Sequence, residues 1–135
     1  MDDRSIAVFD SGYGGLTFLN QARQLMPGEN FIYYGDNKNA PYGNKSEEEI
    51  KKLADGVFGF FSRLPVKAAV VACNTVTAEC IDYLRGKYDF KIFGMEPALK
   101  PAEEELNGKK YLVIGTRATL ESKRFLQLIS RFPNA

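Results

Sequence analysis

Strand-length apolar runs alternate with longer amphipathic stretches along the whole chain. SIAVFD, NFIYYGD, VKAAVVAC, KIFGM and KYLVIGT read as strands, apolar almost throughout rather than at every second position. Between and after them GLTFLNQARQLM, SEEEIKKLADGVFGFFSRL, TAECIDYLRGKY, PALKPAEEEL and ATLESKRFLQLI carry the spacing of amphipathic helices. Strands that are apolar on both faces and separated by helices must be covered on both sides. The pattern therefore predicts an α/β fold with a doubly wound parallel sheet in three α/β/α layers. Local punctuation agrees. Ser46 followed three residues later by Glu49 forms a capping box, and Pro27 with Gly28 closes the first helix.

A sheet of this kind gathers its ligand-binding loops beyond the carboxyl ends of the strands, where helix N-termini present free amides. The strand exits are Asp10-Ser11-Gly12, Gly35-Asp36, Cys73-Asn74-Thr75, Glu96-Pro97 and Gly115-Thr116. Composition narrows what they do. With 18 basic and 17 acidic residues the formal charge is +1, which gives no field for nucleic acid or an anionic membrane. The start MDDRSIAVFD lacks a signal-peptide pattern, and no run reaches membrane-spanning length. The two cysteines, Cys73 and Cys80, share one strand-to-helix unit, which argues against a disulfide framework and for a reducing, cytoplasmic setting. Histidine is absent and no cluster has zinc-ligand spacing, so a metal is not expected.

Three stretches then carry candidate chemistry. In DSGYGGLT the glycines Gly12, Gly14 and Gly15 allow a tight turn and close approach to an anion. No lysine follows to make a Walker loop, and Thr17 replaces the third glycine of a dinucleotide fingerprint, so a nucleotide cofactor is disfavoured. The plainer alternative is a short turn with Asp10 capping the helix. GDNKNAPYGNKS is a polar loop longer than a connection needs, against the alternative of a surface turn with Tyr42 packed. AVVACNTVT ends a buried strand at Cys73, with Asn74 or Thr75 as N-cap of the following helix. A thiol there faces the positive end of the helix dipole, which can lower a cysteine pKa from about 8.5 to roughly 3.5–7.5. The alternative is a small buried hydrophobe, and Cys80 in the helix interior fits that description.

Taken in order, FDSGYGGLT, YYGDNKNAPYGNKS and VVACNTVTA closely resemble the N-terminal half of glutamate racemases, in the aspartate/glutamate racemase superfamily. GMEPALKPA and YLVIGTRATLES look similar as well, so the resemblance covers nearly the whole chain. It implies a cytoplasmic isomerase that interconverts L- and D-glutamate for peptidoglycan synthesis and cell wall biogenesis, without pyridoxal phosphate or another cofactor. It also implies two cysteines, one removing the α-proton and one returning a proton on the opposite face. By match to the family pattern Cys73 is one of that pair, with the Asp10 carboxylate assisting its protonation changes. Ser11, Tyr42, Gly43, Asn74 and Thr75 match substrate-binding positions, and Thr116 and Thr119 add contacts. Glutamate is then the expected partner, with neither nucleic acid nor membrane.

One departure qualifies the likeness. The family's second cysteine lies in a downstream CTHYP-like motif, and this chain reaches Ala135 without it. The expectation is residues 1–95 as an N-terminal racemase-like α/β domain and 96–135 as the truncated beginning of a second, similar one. The isolated chain is then expected to be inactive. Two other readings remain open: a homodimer in which two Cys73 thiols share a pocket, and a non-catalytic fragment or anion-binding module.

Overall fold

The computed structural model describes residues 2–135. Four strands, β1 (Ser5–Asp10), β2 (Phe31–Gly35), β3 (Val66–Val71) and β4 (Lys91–Gly94), form one sheet in the order β2-β1-β3-β4 with every pairing parallel. Three helices link them: α1 (Gly15–Leu25), α2 (Glu47–Phe61) and α3 (Asn74–Lys87). Because β2 lies on one side of β1 and β3 on the other, the winding reverses after β2. Right-handed crossovers then place α1 on one face and α2 with α3 on the opposite face, which is the expected doubly wound arrangement.

The larger core lies under α2 and α3. The registers Ala7↔Ile32, Phe9↔Tyr34, Ala69↔Ile92 and Phe9↔Val71 put these side chains on one face of the sheet. Against them α2 turns Ile50, Ala54, Val57, Phe58 and Phe61, an apolar stripe at helical spacing. Phe58 is its centre, with ring centroids 6.1 Å from Phe9, 5.6 Å from Phe61, 5.6 Å from Tyr88 and 6.0 Å from Phe90. On the other face α1 covers β1 and β2, leaving Phe93 of β4 58% exposed. The expected capping box starts α2: Ser46 Oγ accepts from the Glu49 amide and the Glu49 carboxylate accepts from the Ser46 amide.

Two elements depart from the sequence-based expectation. KYLVIGT is not a strand; residues 109–116 run as irregular backbone, with Leu112 84% and Ile114 87% exposed. A strand needs a partner ladder, and none of the four strands pairs with this segment, which follows α4 (Leu99–Leu106) and its left-handed Asn107-Gly108 end. The helix expected over ATLESKRFLQLI is instead two, α5 (Arg117–Glu121) and α6 (Lys123–Ile129). The break lies at Ser122, whose Oγ donates to the Thr119 carbonyl and accepts from the Phe125 amide, replacing helical backbone bonds.

Phe58→Ala empties the centre of the aromatic cluster and is expected to lower unfolding free energy by about 3–5 kcal/mol in urea titrations. A loss below about 1 kcal/mol, the size of an ordinary surface change, contradicts this account of the core.

Candidate active site

The winding reversal between β1 and β3 opens a crevice at their carboxyl ends, and the chemistry-bearing loops meet there. Backbone hydrogen bonds continue past the strands: the Asp36 amide donates to the Asp10 carbonyl at 3.0 Å, and the Ala72 amide to the Phe9 carbonyl at 2.8 Å. These bonds hold the exits of β2, β1 and β3 side by side. The adjoining cavity, about 590 Å³, is lined by Asp10, Gly14, Cys73, Asn74, Thr75, Thr116 and Thr119. Pro97, Leu99, Tyr111, Leu112 and Ile114 complete its walls.

Cys73 is itself the N-cap of α3, a place the sequence assigned to Asn74 or Thr75. No side chain caps this helix end, so its first-turn amides keep the capacity to bind an anion. The thiol is 6% exposed, and its Sγ lies 3.3 Å from Ser11 Oγ, a hydrogen bond in which either atom can donate. Asp10, 7% exposed, does not cap α1; its Oδ2 accepts from the Gly12 amide at 2.9 Å. That bond occupies one of the amides the glycine turn offers. Among the three glycines only Gly15 is sterically required: a Cβ there would meet the Asp10 Cβ at 2.8 Å, while those at Gly12 and Gly14 find nothing closer than 3.7 Å.

The threonines form a hydroxyl cluster. Thr75 Oγ1 lies 3.0 Å from Thr116 Oγ1 and 3.4 Å from Thr119 Oγ1, and Thr116 and Thr119 are 2.9 Å apart. Each hydroxyl can donate or accept, so the cluster can reorient toward a carboxylate. Tyr42 and Gly43 lie outside this cavity. Tyr42 is 1% exposed, its ring packs edge-on to Phe9, and its hydroxyl donates to Asp36 at 2.6 Å. Burial, followed by the Asp36 carboxylate, pushes the Tyr42 phenol well above its ordinary range. Gly43 packs against Thr116, where a Cβ would meet Thr116 Cγ2 at 2.6 Å.

Sequence reasoning passed over two supports of the site. The buried Asp36 carboxylate accepts from Tyr42 and twice from Asn39 Nδ2, folding the loop after β2 back on itself. Tyr33 donates its hydroxyl to the Gly12 carbonyl at 2.7 Å, bracing the glycine turn; burial, then the Asp10 charge, raises its pKa to about 12. A strand-exit aspartate beside a tyrosine-rich strand is the only signal of either in the sequence.

Cys80 stands apart. It is 3% exposed, its thiol donates to the Val76 carbonyl at 3.5 Å, and burial pushes its pKa to about 12. A larger groove of about 780 Å³ lies between residues 43–47, α3 and residues 117–123. Its lining, which includes Lys45, Glu47, Glu79, Arg117 and Glu121, contains no thiol. No group of three or more cysteine or acidic side chains among the described residues is arranged to hold a metal ion.

Residues 17–133 match the family described as Asp/Glu/Hydantoin racemase. A glutamate racemase of Clostridium botulinum strain Kyoto is 47% identical over 132 residues, covering 98% of this chain and 51% of that protein. One of Halothermothrix orenii is 46% identical over 126 residues, covering 93% of this chain and 50% of its own. Among solved structures, the glutamate racemase of Aquifex pyrophilus superposes with a TM-score of 0.86 at 35% identity, over 96% of this chain and 52% of that one. The Escherichia coli glutamate racemase, in complex with L-glutamate and activator UDP-MurNAc-ala, gives 0.84 at 40% identity, over 97% and 50%. The chain thus spans about half the length of the curated relatives it matches.

The raised Cys80 pKa has a stability consequence. The folded chain keeps this proton to about pH 12, whereas the unfolded chain releases it near 8.5, so Cys80 favours folding below about pH 8.5 and that contribution is lost as pH rises toward 12. Urea-unfolding free energy is expected to fall from about pH 8.5 upward. In Cys80→Ala the fall should begin only near the ordinary tyrosine range of about 10, set by Tyr33, Tyr42 and Tyr88. Identical onset in both proteins overturns the assignment.

Proposed function

The chain belongs to the Asp/Glu/Hydantoin racemase family, and from that premise we propose that it supplies one of the two acid–base groups of a glutamate racemase. The observation that carries the reading is Cys73 at the uncapped N-terminus of α3, lining a cavity with Asp10, Thr75, Thr116 and Thr119. In this reading the Cys73 thiolate takes the α-proton: the Cα–H bond breaks, an S–H bond forms, and the electron pair is delocalised into the α-carboxylate. The amides at the start of α3 and the threonine hydroxyls stabilise the charge that develops there. A second thiol, outside these 135 residues, returns a proton to the opposite face. Cys80 does not serve, since its sulfur is bonded to the Val76 carbonyl inside the helix. Asp10 assists the protonation changes of Cys73, and Ser11 holds its sulfur. Asn74, Tyr42 and Gly43 belong to the substrate-binding set, the last two through the loop they anchor.

The same reading assigns residues 1–95 to one α/β domain and 96–135 to the beginning of a second. Support comes from residues 109–116, apolar as a strand would be yet without a ladder, with Leu112 and Ile114 exposed. The product D-glutamate serves peptidoglycan synthesis in a cytoplasmic setting, and no helix among the described residues is long and apolar enough to cross a membrane. A homodimer sharing two Cys73 thiols is the second reading, favoured by those same exposed side chains. Light scattering that finds only monomer removes it.

The test joins this chain to the C-terminal half of the Clostridium botulinum relative. The chimera is expected to racemise both enantiomers of glutamate, and Cys73→Ala to lower kcat by about 10²–10⁴-fold, the scale of one lost proton-transfer group. In the 135-residue chain itself, glutamate should slow alkylation of Cys73 by iodoacetamide. Full activity in the Cys73→Ala chimera, or alkylation indifferent to glutamate, sinks the reading.

A further inference from the structure

One wall of the Cys73 cavity comes from far along the chain, through Tyr111, Leu112, Ile114, Thr116 and Thr119, and its backbone continues into α6. It touches α3 at two places. Near the start of α3, Thr116 and Thr119 meet Thr75. Seven residues further on, two helical turns and about 10 Å along the same face, Arg124 of α6 meets Asp82. Its Nη2 donates to both Asp82 oxygens, at 2.8 and 2.7 Å, while Nη1 donates to Glu96 at 3.1 Å. Glu96 directly precedes Pro97, which lines the same cavity from the β4 side. Arg124 therefore ties three elements together at the edge of the site.

No other ion pair among the described residues joins residues 111–135 to residues 2–96. Phe125 beside it is 5% exposed and packs toward Thr77, Met95 and Pro97, where only about 10 Å³ of free space remains. Packing there gives contact, and the guanidinium gives direction, because its Nη1 and Nη2 are held by carboxylates of two different elements at once.

We propose that Arg124 is a positioning residue, whose ion pairs hold the α5–α6 wall over Cys73 and set Thr116 and Thr119 against Thr75. Its functional meaning rests on the cavity being the glutamate site; its structural action does not. Asp82 stays largely exposed and also lies 3.6 Å from Arg85, so the staple is reversible and sensitive to salt.

The experiment follows Cys73 alkylation by iodoacetamide, which reports how often the wall opens. In low salt Arg124→Leu should alkylate about fivefold faster than the native chain, the scale of a lost ion-pair network. Arg124→Lys, which reaches one carboxylate at a time, should fall between them and keeps the test available if the leucine variant does not fold. At about 1 M salt, where the Debye length is about 3 Å, the native and variant rates should converge. Half-protection of Cys73 should also need more glutamate in Arg124→Leu. Lys87→Leu, which breaks the ion pair to Asp55 on another surface, is the control and should leave the alkylation rate unchanged. Equal low-salt rates for native chain and a folded Arg124→Leu, or the same acceleration from Lys87→Leu, overturn the staple. Acceleration without glutamate protection keeps the staple and removes the substrate reading; protection without acceleration does the reverse.

Discussion

The site depends on backbone hydrogen bonds that outrun the strands. Parallel pairing continues one step beyond the regular ladder, with Asp36 bonded to the Asp10 carbonyl, Ala72 to Phe9 and Met95 to Val71. Each bond joins the exit of one strand to its neighbour. Four loops that would otherwise move independently are therefore placed relative to one another by the sheet itself, the most rigid part of the molecule. The reversal of winding at β1 then leaves the space between the β1 and β3 exits uncovered by a crossover. Asp10, Ser11 and Cys73 converge because they lie at the last residue of β1 or within two residues past the ends of these two neighbouring strands.

The two cysteines show how position decides chemistry when identity is the same. Both are nearly buried, and they are separated by seven residues of one unit. Cys80 faces the core, its thiol spent on the Val76 carbonyl, and burial outweighs the pull of the Lys51 charge to disfavour its thiolate. Cys73 sits where the helix dipole is positive and the first amides lack a side-chain acceptor, with the Ser11 hydroxyl against its sulfur.

Much of this was legible in the sequence because it is governed by local rules. The strands β1 to β4, the capping box at Ser46 and the convergence of Asp10 with Cys73 follow from apolar periodicity, cap chemistry and the geometry of parallel sheets. What was not legible depends on partners distant in the chain. KYLVIGT has the residues of a strand but no ladder to join; ATLESKRFLQLI has a helical pattern that the Ser122 side chain interrupts. Tyr42 carries the same ring whether it lines a pocket or a core, and only the Asp36 carboxylate within reach places it in the core. Cys73 rather than Asn74 became the N-cap because β3 ends at Val71 and the chain needs the two intervening residues to turn.

The cavity therefore has walls of unequal stability. Its floor is the hydrogen-bonded edge of the sheet, backed by the aromatic cluster around Phe58. Its outer wall, residues 111–120, buries Thr119 but leaves Leu112 and Ile114 exposed, and borrows its placement from three threonine hydroxyls and the Arg124 ion pairs. Segments with few buried apolar contacts open at lower free energy than core strands, so the wall yields before the floor does. That asymmetry suits a cavity in which Cys73 is only 6% exposed. The wall can shift over Cys73 while Asp10 on the opposite side stays fixed, because Asp10 belongs to the sheet. Access to Cys73 and the placement of Asp10 beside it are thus assigned to different parts of the chain, and a substitution in the wall can change one without altering the other.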